Sequence, residues 1–148
     1  MPHTKDGKVF TELVLETFRF NGRLLAAGDF LSKPVGLTSS RWQVLGAIES
    51  QSQSVAHIAR KMGLTRQNVQ RIANVLEREG IVEYAPNPDH RRAKLVCLTA
   101  RGRKAVNRLA RLQESWANEI ASRVSLANMR IAFEVLQELR AGLEEEIT

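Results

Sequence analysis

Two amphipathic stretches separated by three residues constrain this chain more than any other feature. SVAHIARKMG, residues 54–63, carries Val55, Ile58, Ala59 and Met62 at helical spacing, and TRQNVQRIANVLEREG, residues 65–80, carries Val69, Ile72, Ala73 and Leu76 in the same way. With Gly63 as the stop of the first helix and Thr65 as the cap of the second, only Gly63, Leu64 and Thr65 separate the two helices. A link that short cannot fold two helices antiparallel along their full length, and with a glycine in it the pattern predicts a helix-turn-helix. Ser54 and Thr65 are the expected N-caps, Gly63 takes the left-handed position that ends the first helix, and Leu64 plugs the corner.

The second of these helices has two different faces. Opposite the apolar stripe lie Gln67, Arg71, Asn74 and Arg78, flanked by Asn68 and Gln70. In the major groove, adenine matches an amide and guanine a guanidinium, so Gln67, Asn68, Gln70 and Arg71 are candidate base-reading residues near the helix start. A helix N-terminus with free N–H groups favours phosphate, which makes Ser54, Thr65 and Arg66 candidate phosphate contacts that position without reading sequence. An ordinary solvated helix face would instead be dominated by Glu and Lys pairs.

Charge points the same way. The net charge is +6, and residues 54–108 hold twelve Lys/Arg against four Asp/Glu, or +8, leaving −2 for the remainder. A basic segment of this kind suits a polyanion; the competing reading is a basic surface kept for solubility.

Around this segment the pattern is mainly helical. Residues 9–33 are apolar almost all round a helical wheel, which suits a helix buried against more than one neighbour and ended by Pro34 and Gly36. LTSSRWQVLGAIES offers a Thr38 or Ser39 cap and a stripe of Trp42, Leu45 and Ile48. After Gly80 the period changes: IVEYA and KLVCLT read as two strands joined by the loop PNPDHRRA, a hairpin with a basic tip. Thr99 then caps a helix with apolar positions from Val106 to Val124, and Ser125 starts another that runs to Ile147. The expected fold class is mainly α with a small β hairpin.

The run from Ser54 to Gly102 resembles the multiple-antibiotic-resistance regulator (MarR) family, through LEREGIV at the end of the second helix, PDHRRAKL in the loop and LTARG at the next helix start. The resemblance implies one domain over 1–148, with a winged helix-turn-helix lobe at 38–99 and dimerisation helices at 8–32 and 100–147. It implies a homodimeric transcription factor, a repressor reading a pseudo-palindrome in double-stranded DNA and released by a small aromatic or phenolic ligand. Asp89 and Arg91 match the pair that in this family braces the wing and sends an arginine into the minor groove, where a narrow A·T tract concentrates negative potential. Arg92 then takes phosphate or points back along the sheet, while His90 is either a further contact or a solvent-exposed bystander. Phe20, Arg23 and Trp42 have two readings, as the lining of a ligand cleft or as core.

Other classes find little footing. There is no glycine-rich phosphate loop, no HExxH and no nucleophile elbow, so neither an enzyme nor a cofactor is expected. Three dispersed histidines, His3, His57 and His90, give a metal site no support, and the single Cys97, inside an apolar strand, reads as a buried filler. No segment has the length and apolarity of a membrane span, and MPHTKDGK lacks a signal peptide's hydrophobic stretch, so the cytoplasm is the expected compartment. The alternative function is a winged helix that binds only protein, which should expose aromatic or aliphatic anchors where this helix shows amides and guanidinium groups.

Overall fold

In the computed structural model, which describes residues 1–147, the elements run α1 (Lys5–Ser32), a 3-10 turn (Lys33–Val35), α2 (Ser39–Ile48), β1 (Gln53–Ser54), α3 (Val55–Met62), α4 (Arg66–Arg78), β2 (Val82–Ala85), β3 (Leu95–Leu98), α5 (Ala100–Ala121) and α6 (Leu126–Ile147). They form two compact units, one from Met1 to Ala110 and one from Arg111 onward.

The first unit owns the core. Leu45, Ile48, Ile58, Val69, Leu76, Val96 and Leu109 are among its fully enclosed side chains, drawn from α2, α3, α4, β3 and the start of α5. The caps fall where the sequence places them: Thr38, Ser54, Thr65 and Thr99 accept from the N–H groups of Arg41, His57, Asn68 and Gly102. Gly63 closes α3 at φ 67° and Gly80 follows α4 at φ 74°, both left-handed positions that a side chain disfavours.

The LTARG segment acquires a physical meaning at the α4–β2 corner. The Thr99 hydroxyl lies 2.6 Å from the Gly80 carbonyl and its backbone N–H donates to the Ile81 carbonyl at 3.1 Å. Gly102 sits so close to Ile81 that a Cβ there would fall on the Ile81 carbonyl oxygen. The helix start of α5 is thereby locked onto the entry to the wing.

A second junction escapes sequence reading. The Ser39 hydroxyl donates to the Leu25 carbonyl, the Ser39 N–H donates to Asp29 Oδ1 at 2.8 Å, and the Ser32 hydroxyl lies 2.6 Å from the Gly28 carbonyl and 2.9 Å from that of Leu37. Asp29 therefore places a carboxylate at the positive end of α2, a favourable arrangement. Gly28 permits it, because a Cβ there would meet the Ser39 hydroxyl.

Several expectations need correction. The two-stranded hairpin is a three-stranded antiparallel sheet, ordered β1-β3-β2, because Gln53 and Ser54 pair with Val96 and Leu95. Two polar residues carry no strand periodicity, so the polar run ahead of α3 concealed them. Cys97 is half-buried: Val96 faces the core, and Cys97, one residue on and opposite Glu83, faces away from it. The last turn expected of α5 is missing, since the helix stops at Ala121. Most consequentially, α1 is not sheathed by neighbours: only Gly28 and Ser32 are buried, while Phe18 and Phe30 are 70% and 79% exposed.

The second unit contains the remainder of α5 and all of α6, with Ser125 capping α6 through the N–H of Asn128. No residue of α6 is buried, although Ile131, Phe133, Leu136 and Leu143 are large and apolar. No helix among the described residues is long and apolar enough to cross a membrane.

Candidate nucleic-acid interface

The exposed face of α4 and the loop between β2 and β3 lie in the same unit and bring most of the candidate residues together. Val69, Ile72, Ala73 and Leu76 are buried, which turns Arg66, Gln67 and Arg71 outward, with Asn68 half-buried. Thr65 uses its oxygen to cap the helix, and Ser54 does the same for α3, leaving each hydroxyl proton available to a phosphate oxygen. Arg71 donates from Nη2 to Asn68 Oδ1 at 2.8 Å, so the two side chains hold each other in place and Asn68 keeps its amide hydrogens.

Gln70 is differently engaged. Its Nε2 donates to Tyr84 OH at 2.8 Å and to Asn74 Oδ1 at 3.0 Å, and the Tyr84 hydroxyl donates to the same Asn74 oxygen at 2.6 Å. Partial burial, the Glu77 carboxylate nearby and, opposing them, the Gln70 bond leave the Tyr84 phenol with a pKa above its ordinary value, so it keeps the proton it donates.

The wing loop exposes Asp89, His90, Arg91 and Arg92. No ion pair joins Asp89 to Arg91 among the described residues. The loop is held instead by Asn87, whose Oδ1 accepts from the Asp89 N–H at 3.0 Å, and by His90, whose Nδ1 accepts from the Ala93 N–H at 3.2 Å. His90 is thus part of the turn. Between wing and helices lies an open cleft of about 280 Å³ lined by Val55, Ala56, Gln70, Tyr84, Arg92, Ala93 and Lys94.

Part of the basic segment does structural work. Arg103 donates to the Glu49 carbonyl at 2.7 Å at the negative end of α2, and Arg108 donates to the Pro34 carbonyl at 3.4 Å. A count of charges along the sequence cannot separate these from the exposed cations of α4 and the loop. Arg41 reaches Glu79 at 3.0 Å and ties α2 to the end of α4.

The three residues with a ligand reading part company. Phe20 and Arg23 share an exposed surface of α1 with Glu16, Phe18, Arg19 and Gly22. Trp42 is absent from that surface and packs, half-buried, against the core. Among the described residues no cluster of three or more His, Cys, Asp or Glu could hold a metal.

A helix-turn-helix with a capped, polar second helix, followed by a sheet with a basic loop, defines the winged helix-turn-helix class. Residues 35–93 match the MarR family. The chain is 33% identical over 134 residues to the uncharacterised Mycobacterium tuberculosis protein Rv2011c, a match covering 90% of this chain and 94% of that one. It shares its fold with the M. tuberculosis regulator MosR in complex with DNA, at TM-score 0.74 and 24% identity over 88% of this chain and 96% of that one. The same holds for the repressor CouR of Rhodococcus jostii RHA1 bound to a 23-mer DNA duplex, at TM-score 0.78 and 21% identity over 94% and 99% of the two chains. The chain belongs to the MarR family and is a transcriptional regulator rather than an enzyme.

Proposed function

We propose that this protein is a cytoplasmic homodimer that binds a pseudo-palindromic operator in double-stranded DNA and represses from it. The observation that carries the reading is the first two turns of α4, where Gln67, Asn68 and Arg71 are presented after the Thr65 cap while the opposite stripe is fully engaged in the core. Gln67 and Asn68 read bases, Arg71 orients Asn68 and offers its remaining donors to guanine, and Ser54, Thr65 and Arg66 hold phosphates. Arg91 enters the minor groove and Arg92 takes the backbone, with Asp89 and His90 shaping the loop. The terminal helices, 8–32 and 100–147, form the dimer. Release by a small aromatic ligand is supported by the ring and guanidinium chemistry of Phe20 and Arg23 on α1 and by the solved complex of CouR with p-coumaroyl-CoA.

The test separates readout from positioning. Gln67→Ala and Asn68→Ala should each lower affinity at particular base positions by roughly 1–3 kcal/mol and leave mismatched duplexes unaffected. Arg66→Ala should weaken every duplex alike. Binding titrations on an operator and its single-base variants decide it: uniform weakening by all three substitutions would refute base reading from this turn.

A further inference from the structure

The bonds among Gln70, Asn74 and Tyr84 close a polar knot between α4 and the strand that leads into the wing. Gln70 and Asn74 stand one turn apart on α4, and Tyr84 comes from β2, on the sheet face shared with Val82 and its cross-strand partner Val96. Both hydrogens of the Gln70 amide nitrogen are engaged, and the Asn74 oxygen accepts twice. A bidentate grip on adenine needs one of those Gln70 hydrogens for N7, so the knot and base reading by Gln70 exclude each other.

The knot has another use. Gln70 and Asn74 are exposed and Tyr84 is half-buried, so the bonds lie at the solvent boundary, where they add little net stability. Their value is direction: apolar packing of β2 on α4 tolerates sliding and rotation, whereas three mutual hydrogen bonds admit one geometry. Only Ala85 separates Tyr84 from the loop that carries Arg91 and Arg92, so the angle set at Tyr84 is inherited by the wing.

Resting on the DNA-binding reading above, we infer that Tyr84, acting through Gln70 and Asn74, is a positioning residue that fixes where the wing arginines meet DNA relative to the base-reading turn of α4. Gln70 belongs to this device rather than to the base-reading set.

The test is a double-mutant cycle on the full chain, read on duplexes with one core and either A·T-rich or G·C-rich flanks. Arg91→Ala should reduce affinity on A·T flanks in the wild-type background. In a Tyr84→Phe background, which keeps the ring and removes only the hydroxyl, that reduction should shrink by about fivefold or more, although the Tyr84 hydroxyl bonds to Gln70 and Asn74 and not to Arg91. Asn74→Ala, at an exposed helical position where alanine is well tolerated, should show the same coupling to Arg91. If either pair is additive within about twofold, the positioning role is wrong. Wild type that binds none of the duplexes overturns the DNA reading and this inference together; wild type that binds while the substitutions act independently overturns the inference alone.

Discussion

Replacing Phe133 and Leu136 together with glutamate should leave the helix-turn-helix lobe folded and lower operator affinity by roughly 10²–10⁴-fold. Both side chains lie on α6, 62% and 46% exposed, so no core residue of the first unit depends on them. Exposed apolar faces of this extent on α1 and α6 mark an interaction surface. In the proposed homodimer a second copy offers the matching face, because in a two-fold arrangement the same patch meets itself. Dimerisation makes the second half-site contact intramolecular, and that effective concentration is what the two carboxylates would remove. Light scattering should report a monomer and far-UV circular dichroism an unchanged helical content, alongside weak binding to a full operator and unaltered binding to a half-site. A stable dimer that binds with wild-type affinity would remove α6 from the interface.

Gly102→Ala should destabilise the lobe by about 3 kcal/mol or more, at the upper end of the cost of forcing atoms into a packed site. The added methyl falls on the Ile81 carbonyl oxygen and lies 3.2 Å from Leu98 Cδ2. Relief requires moving backbone, because the Ile81 carbonyl also accepts from the Thr99 N–H. Gly46→Ala is the matched control. It is exposed in the interior of α2 with nothing within 4 Å of the new Cβ, so it should gain roughly 0.5–1 kcal/mol from helix propensity. Urea denaturation of both variants gives the signs, and a neutral Gly102→Ala would mean that the LTARG corner is looser than its geometry.

The helix-turn-helix was legible because local rules and tertiary packing agree along it. Ser54, Gly63, Thr65 and the α4 stripe each satisfy a short-range requirement that the sequence displays at fixed spacing. β1 was hidden because two polar residues become a strand only through the partner that β3 supplies. The α1 wheel predicts a buried helix because a sequence does not distinguish apolar surface covered by its own chain from surface left open on it. The interface followed the same division: Gln67 and Arg66 could be placed by helical phase, whereas the engagement of Gln70 depends on Tyr84, fourteen residues away and on a strand. Arg103 and Arg108 resembled DNA-facing cations for the same reason, their acceptors being carbonyls 54 and 74 residues distant in the chain.

If two copies of α4 and its wing read DNA as symmetry mates, the sequence read by one half should recur inverted in the other. Selection of bound sequences from random duplex DNA by the 148-residue chain is the test. The expected result is an enriched inverted repeat with half-site centres about 10 base pairs apart and A·T preference in the flanks touched by the wing. Enrichment of a single unrepeated site, or no enrichment over the input pool, would contradict it.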